Sequence, residues 1–225
     1  MPKKKKLRRR ILIIAIFIAA ALAAAGGGAV YKMNKEQSAM TPIETGEFLP
    51  GIYAVNEEGM VNCFFIKSGE VYIAVDAGFN ADALSKGLEI LGIPAGDVAA
   101  VLMTHTHQDH TGGLKLFKGA DIYGVNSAVA SKAIADGDIL EIAGRQITVI
   151  ATPGHADDSV CFLVDGSILF AGDNLSLAGN KVGMFNSFYN KSDDQQRIDI
   201  ERLSNLTGIS YIITAHYGYT GDPEF

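Results

Sequence analysis

Short apolar runs separated by turn residues dominate the chain from residue 47 onward, and they predict a domain rich in β-strands. Residues 51–55, 61–66 and 71–76 are filled with β-branched and aromatic residues, and the last two of these runs are predicted to form a hairpin. Beyond residue 138 the same pattern returns and continues to a final apolar strand that ends in a histidine.

Three stretches fit helices better than strands. Residues 81–93 carry apolar residues three and four positions apart, and they end at Gly92 and Pro94, which are helix stop signals. Residues 127–135 and 193–206 are further helix candidates. The predicted order of elements is strands, helix, strand, helices, strands, helix and strand. This order indicates an α/β (α+β) domain in which two sheets lie between helices.

The N-terminus has a different pattern, in which a basic head precedes an apolar run. Residues 1–10 carry seven Lys or Arg, whereas residues 11–31 carry no charged side chain. Roughly 20 apolar residues suffice for a helix to span the bilayer core, and positive flanks stay cytoplasmic. We therefore expect one N-terminal transmembrane helix at residues 11–31, a polar linker at residues 32–46, and a folded domain at residues 47–225 on the extracytoplasmic side.

A cleavable signal peptide is the alternative for the same segment. The basic head, the apolar stretch and the small residues Ala23, Ala24 and Ala25 also have the layout of a secretory signal. Cleavage there would leave the domain secreted rather than anchored. The length of the apolar run, which reaches Tyr31, favours the anchor.

Composition adds the sign of the charge and the state of the cysteines. Without the seven basic residues of the head, the chain keeps 12 of its 19 basic residues against 25 acidic ones, a net of −13. Because an acidic body repels nucleic acid, we expect no nucleic-acid partner. Cys63 and Cys161 lie in apolar, strand-like runs and are expected to be buried free thiols, with a disulfide as the alternative.

Histidine is rare in this chain, yet three of its five histidines fall within the stretch THTHQDHTGG. His105 and His107 are two positions apart, which places their side chains on one face of an extended chain. Asp109 and His110 follow in a turn. Because neutral imidazole and carboxylate are ligands of Zn²⁺, the stretch predicts a metal site at the end of a strand.

The other two histidines and one aspartate occupy similar places. His155, His216 and Asp173 each follow an apolar run that is predicted to be a strand. Loops at strand ends are where α/β folds place their sites. We therefore expect all five histidines and Asp173 to meet at one site.

At this point the chain resembles the metallo-β-lactamase superfamily. The resemblance rests on H-x-H-x-D-H at residues 105–110, P-G-H ending at His155, G-D ending at Asp173 and the late His216, and it covers residues 46–225. It implies an αββα sandwich of two mixed β-sheets flanked by helices, with a two-metal site at one edge of the sheets.

The resemblance also assigns ligands by position. The first metal would be held by His105, His107 and His155, and the second by Asp109, His110 and His216. Asp173 would bridge the two metals, Asp109 is in addition the candidate catalytic residue, and Asp76 would support the site from behind. Zn²⁺ is the expected metal, and Fe or Mn would also suit these ligands.

The implied function is a membrane-anchored hydrolase acting on a small molecule. Two divalent metal ions can share a water and lower its pKa toward 7, so that it attacks an ester, thioester, lactone or phosphodiester. β-Lactamase activity is disfavoured, because true zinc β-lactamases usually have Cys or Ser where this chain has Asp173. The ligand set is glyoxalase-II-like, but the residues after His155 and the absence of a C-terminal helical domain disfavour glutathione thioesters.

Two alternatives belong to other classes of protein. A diiron redox protein of the same fold usually carries Glu in place of His107, so the histidine favours hydrolysis. A non-catalytic binding or sensor domain at the membrane usually loses ligands, whereas this set is complete.

Aromatic residues near the ligands are candidates for substrate contacts. Phe185, Phe188 and Tyr189 lie between Asp173 and His216 in the chain, where the superfamily often places such contacts. Packing in the core is an equal alternative for these three. Tyr217 and Tyr219 follow His216 directly and are candidate donors to an oxyanion.

Overall fold

The computed structural model describes residues 40–225. The predicted basic head and transmembrane segment, and the linker up to residue 39, lie outside the described residues. In residues 40–225, no helix is both long and apolar enough to cross a membrane. Contacts with the domain begin before residue 47, since the Thr41 N–H donates to the His216 carbonyl at 2.9 Å and the Ile43 N–H donates to the Asn62 side chain at 2.7 Å.

Two mixed β-sheets form most of the described domain, as the sequence pattern predicted. The first sheet has seven strands in chain order: β1 (Gly46–Leu49), β2 (Ile52–Glu57), β3 (Val61–Ser68), β4 (Val71–Val75), β5 (Val98–Leu102), β6 (Asp121–Gly124) and β7 (Lys132–Ala133). Strands β4 to β7 run parallel, and the predicted hairpin β3–β4 pairs Phe64 with Val75.

The second sheet has six strands in a different order. Its strands are β8 (Ile139–Ile142), β9 (Arg145–Ala151), β10 (Val160–Val164), β11 (Ile168–Phe170), β14 (Tyr211–Ile213) and β15 (Tyr219–Thr220). They are arranged as β15-β14-β11-β10-β9-β8, with β11 and β14 parallel. A separate hairpin, β12 (Leu175–Ala178) and β13 (Lys181–Met184), follows β11 in the chain.

Three α-helices are described: α1 (Ala81–Leu91), α2 (Gln108–Thr111) and α3 (Asp193–Ser204), with 3₁₀ turns at Ala95–Asp97 and Leu114–Leu116. The Asn80 side chain caps α1 by accepting from the Asp82 N–H at 2.8 Å. Gly92 ends this helix at a φ of +65°, in the left-handed region that glycine tolerates best. Both predicted helices 81–93 and 193–206 are therefore confirmed to within two residues at their ends.

Side chains of alternate residues separate the core into layers. In β3, Phe64 and Ile66 pack between the two sheets, whereas Cys63 and Phe65 pack on the opposite face against α1. On the far side of the second sheet, Leu203 of α3 packs in a third cluster. The layers follow the order helix, sheet, sheet, helix, and both faces of each sheet are covered, which explains the continuous apolar runs.

Two local predictions differ from the structure. The helix predicted at residues 127–135 is wrong, because the Asn126 carbonyl accepts from Val129 and Ala130 in a single turn and the chain then enters β7 beside β6. The hairpin β12–β13 was not predicted, although Leu175 and Leu177 alternate with Ser176 and the turn residues Gly179 and Asn180 join its two strands. At residues 127–135 tertiary pairing outweighs the local pattern.

The two cysteines are free and fully buried, which confirms the prediction of free thiols. Burial raises the pKa of Cys161 to about 12 and raises that of Cys63 well above its usual range. At pH 8 a thiol with such a pKa is ionised to about one part in ten thousand, and the thiolate is the reactive form. We expect Ellman's reagent to release no chromophore from the native chain and two equivalents from the chain in guanidinium chloride. Release from native protein at a rate faster than unfolding would contradict this burial.

Candidate metal centre

The predicted ligands sit in loops at one edge of the two sheets. His105 and His107 follow β5, and Asp109 and His110 lie in α2 immediately after them. The remaining three follow β9, β11 and β14 of the second sheet, namely His155, Asp173 and His216. All seven residues come together and form two groups. Within each group, the ligand atoms lie within 4.8 Å of one another.

The first group consists of three histidines. The rings of His105 and His107 are 4.5 Å apart between centroids, and His155 lies 4.7 Å from His105. His155 Nε2 faces His107 Nδ1 at 3.1 Å. His107 is exposed while the other two are buried, so this group is open to solvent on one side.

The second group combines two histidines with two carboxylates. His216 Nε2 lies 3.4 Å from an Asp109 carboxylate oxygen and 3.2 Å from Asp173 Oδ1. His110 Nε2 lies 3.3 Å from the same Asp173 oxygen. The ligand atoms thus converge on one point from three loops.

Asp173 lies between the two groups, where its two carboxylate oxygens face different sets of histidines. Its Oδ1 atom contacts the second group, while Oδ2 lies 3.5 Å from His155 Nε2 and 3.9 Å from His105 Nε2. The side chain is nearly fully buried. A carboxylate in this position can place one oxygen toward each of two cations.

Three polar atoms at the point of convergence are buried without a hydrogen-bond partner, namely His105 Nε2, His110 Nε2 and Asp173 Oδ1. Leaving a buried polar atom unpaired costs roughly 1–3 kcal/mol, so such atoms require an explanation. Divalent cations would pair all three, because imidazole nitrogen and carboxylate oxygen are their ordinary ligands. The residues present therefore fit two metal ions.

Asp76 orients two of the histidines, His110 directly and His105 through the Thr104 hydroxyl. Its Oδ2 atom lies 2.8 Å from His110 Nδ1 and accepts from the Thr104 hydroxyl at 2.7 Å, and that hydroxyl oxygen lies 3.1 Å from His105 Nδ1. Its Oδ1 atom accepts from the Thr104 N–H at 2.8 Å. These contacts direct the Nε2 atoms of both histidines toward the centre, which is the role expected of a carboxylate behind metal ligands.

Two supporting contacts could not be found from the sequence motifs. His155 Nδ1 lies 3.2 Å from Asn190 Oδ1, and His216 Nδ1 lies 2.6 Å from the Met60 carbonyl. The Asn190 amide is itself held by the Gln196 side chain and the Phe185 carbonyl. Asn190 directly follows the aromatic candidates Phe185, Phe188 and Tyr189 but belongs to no motif itself. The Met60 contact uses a backbone carbonyl, which no sequence motif marks.

The charges of the metal-free site differ between the two groups. Burial and the neighbouring His110 hold the pKa of His105 well below its usual value. Burial would also lower the pKa of His216, but the Asp173 and Asp109 carboxylates raise it to about 10. His110 behaves in the same way, since burial is outweighed by Asp173 and Asp76 and its pKa rises well above the usual value. Metal binding to the second group therefore has to displace protons.

Aromatic residues line part of the cavity above the metal groups. Phe185 is buried, with its ring 5.0 Å from that of His155, and Tyr189 also lines this cavity. Phe188 is exposed and lies outside the cavity lining. The suggestion that Tyr217 and Tyr219 face an oxyanion is wrong, because neither lines the cavity: Tyr217 packs on Phe185 at 5.8 Å and Tyr219 packs on Phe48 at 5.0 Å.

Asn190→Ala should weaken metal binding at the three-histidine group by about 10–100-fold, the usual effect of losing such a supporting contact. The variant leaves His155 free to rotate and to take the wrong tautomer. Asn190→Asp keeps an oxygen acceptor for His155 but replaces the NH2 group that donates to Gln196, Phe185 and Asp193 with an acceptor, so it should restore only part of the affinity. Competition with a chromophoric chelator measures the affinity, and equal affinities for wild type and Asn190→Ala would contradict the role of Asn190.

Comparisons with known proteins show which sequences and folds this chain is similar to. Residues 56–125 match the family model of the metallo-β-lactamase superfamily. A hydroxyacylglutathione hydrolase of Prochlorococcus marinus is 30% identical over 133 residues, which are 52% of this chain and 51% of that protein. A thioesterase of Emericella nidulans is 32% identical over 123 residues, which are 51% of this chain and 35% of that protein. The chain thus spans about half or less of these relatives' length.

A solved structure supports the fold. A metallo-β-lactamase family protein of Thermus thermophilus superposes on the chain with a TM-score of 0.61 and 24% sequence identity. The superposition covers 78% of this chain and 76% of that chain. At this identity the similarity shows the common fold and nothing about the reaction.

Proposed function

We propose that this chain is a metal-dependent hydrolase of the metallo-β-lactamase superfamily, and that it uses two divalent metal ions to cleave an ester or thioester of a small molecule. One observation carries the proposal: Asp173 lies between two groups of ligands, and three buried atoms there, His105 Nε2, His110 Nε2 and Asp173 Oδ1, have no hydrogen-bond partner. Hydrolysis of a lactone or a phosphodiester would use the same metal ligands. The preference for esters and thioesters therefore rests on Asp173 and on the matching proteins.

Each part of the site has an assigned task in the proposed reaction. His105, His107 and His155 would hold one ion, Asp109, His110 and His216 the other, and Asp173 would contact both. When bound, such ions polarise an acyl oxygen and lower the pKa of a nearby water toward 7. Zn²⁺ is the expected ion, and Fe or Mn would suit the same nitrogen and oxygen ligands.

Asp109 is the carboxylate of the site that is open to the substrate. About 36% of its side chain is exposed, whereas Asp173 is nearly fully buried. It lines both the cavity above the metal groups and a second pocket beside it. Besides its task as a ligand, Asp109 is therefore the residue placed to accept a proton from water or to pass one to the leaving group.

The names of the relatives support acyl substrates. One matching protein is a hydroxyacylglutathione hydrolase and another is a thioesterase. Asp173 fits the same class, because this chain has Asp where zinc β-lactamases usually have Cys or Ser. We therefore place β-lactams and phosphodiesters below esters and thioesters as substrates.

We further propose that residues 11–31 anchor the hydrolase in a membrane, with the domain on the extracytoplasmic side. The proposal rests on the apolar run and the seven basic residues before it. Mass spectrometry of the mature N-terminus and protease accessibility in intact cells test it. A mature chain that starts near Gly26 would replace the anchor by a cleaved signal peptide.

Substrate panels provide the test of the reaction. The full chain in mild detergent should hydrolyse acyl esters and thioesters at least about tenfold faster, in kcat/KM, than a phosphodiester or a β-lactam. Removal of metal with a strong chelator should abolish the activity, and addition of Zn²⁺ should restore it. Activity that survives complete metal removal would refute the proposal.

A further inference from the structure

An apolar pocket opens beside the second group of ligands. Its volume is about 110 Å³, and it adjoins the cavity above the metal groups, whose volume is about 170 Å³. The two share Met60, Asp109 and His216 in their walls. The other residues that line the pocket are Glu57, Glu58, Val61, Phe79 and Asn80.

The walls of this pocket are tied to the metal centre. The Met60 carbonyl contacts His216 Nδ1 at 2.6 Å, so the turn between β2 and β3 is fixed to a predicted ligand. On the opposite side, the buried Glu57 carboxylate accepts from the N–H groups of Phe79 and Asn80 at 3.2 and 2.8 Å. Hydrogen bonds therefore hold two parts of the pocket wall, one of them directly to a predicted metal ligand.

The side chains at the mouth of the pocket are apolar and exposed. Met60 is 47% exposed and Phe79 is 53% exposed, although both are large hydrophobic residues. Neighbouring exposed apolar side chains at a cavity mark a surface that binds an apolar partner or ligand. Here Met60 and Phe79 line the same pocket as the predicted ligands Asp109 and His216.

No lysine or arginine lines either the pocket or the cavity in the described residues 40–225. Apart from the proposed metal ligand His216, the ionisable side chains in the pocket wall are carboxylates, namely Glu57, Glu58 and Asp109. Lys191, which follows the cavity-lining segment, is paired with Asp157. A negative group on a substrate, away from the metals, would therefore meet like charge and no cation.

We infer that the substrate is a neutral ester or thioester whose short apolar acyl group occupies the pocket beside Asp109 and His216. The inference rests on the proposed function and narrows its substrate class. Pockets that hold whole drug-sized ligands measure roughly 300–1,000 Å³, so a pocket of about 110 Å³ suits one acyl group of a few carbons. Each buried methylene strengthens binding roughly fourfold.

A series of p-nitrophenyl esters tests the inference with the metal-loaded full chain. From acetyl to hexanoyl, kcat/KM should rise by at least about tenfold and then level off as the pocket fills. The matched adipoyl half-ester has the length of the hexanoyl ester but ends in a carboxylate, and its kcat/KM should be at least about tenfold lower. Phe79→Ala should lower the ratio of hexanoyl to acetyl activity by about tenfold, whereas Ile90→Ala, an exposed apolar residue outside the pocket, should leave both activities unchanged.

A binding measurement separates this inference from the proposed reaction. Heptan-2-one, a ketone that cannot be hydrolysed, should shift the methyl resonance of Met60 in ¹³C-methionine-labelled protein, and Phe79→Ala should weaken this binding. Failure to hydrolyse any ester or thioester would overturn the proposed function. Hydrolysis of all esters at equal kcat/KM, with equal binding of heptan-2-one to wild type and Phe79→Ala, would overturn the apolar pocket alone.

Discussion

Replacing Asp173 with alanine should lower ester hydrolysis by about 10³-fold or more, equivalent to ~4 kcal/mol of transition-state stabilisation. Asp173 contacts His105 and His155 through one oxygen and His110 and His216 through the other. The variant removes the contact common to both groups and leaves Asp109, on the side of the second group, as the remaining carboxylate among the metal ligands. Both metal ions should therefore be lost or bound far more weakly.

Asp173→Asn provides the matched comparison. The amide preserves the size of the side chain but lacks the negative charge, and it offers one oxygen where the carboxylate offers two. It should fold as wild type does and still lose most of the activity and at least one metal ion. Circular dichroism and metal analysis of both variants check these expectations. A folded Asp173→Ala variant that retains two metals and wild-type activity would refute the bridging assignment.

Asp76→Ala should cause the largest loss of stability among the supporting residues, about 3–5 kcal/mol in the free energy of unfolding. The carboxylate accepts from the Thr104 N–H and hydroxyl and contacts His110, and all of these groups are buried. Without it, several buried donors have no acceptor. The backbone adds to the loss, because Asp76 has a φ of +61°, a conformation that Asp tolerates better than Ala.

The same variant should weaken metal binding by about 10–100-fold, since His105 and His110 lose the group that orients them. Asp97→Ala, which replaces an exposed acid before the start of β5, at the end of the strand opposite to the ligands, should change stability by no more than about 0.5 kcal/mol. Urea unfolding and chelator competition measure the two effects. If Asp76→Ala resembles Asp97→Ala in both, Asp76 has no supporting role.

The members of the metal centre were predictable from the sequence because histidine is so rare in it. Each of His105, His155 and His216 stands at the end of an apolar run, and the structure brings these ends to one edge of the sandwich. The distances were not predictable, because the ligands come from both sheets and meet only when the sheets pack. The identity and number of bound metals remain predictions.

Supporting contacts and irregular segments were harder to predict. The Met60 carbonyl that holds His216 is a backbone group 156 residues away in the chain. Asn190 has no motif around it, and its role depends on how Gln196 of α3 packs against it. Residues 127–135 have a helical pattern, but pairing of β7 with β6 decides their structure. The anchor at residues 11–31 lies outside the described residues and stays a prediction.

Titration of the metal-free full chain with Zn²⁺, followed by hydrolysis of the neutral hexanoyl ester, tests the central claim most directly. We expect activity to be absent without metal and to reach its plateau at two equivalents per chain, with protons released as the second group of ligands binds. A plateau at one equivalent or fewer, or full hydrolysis before any metal is added, would contradict a hydrolase built on two metal ions bridged by Asp173.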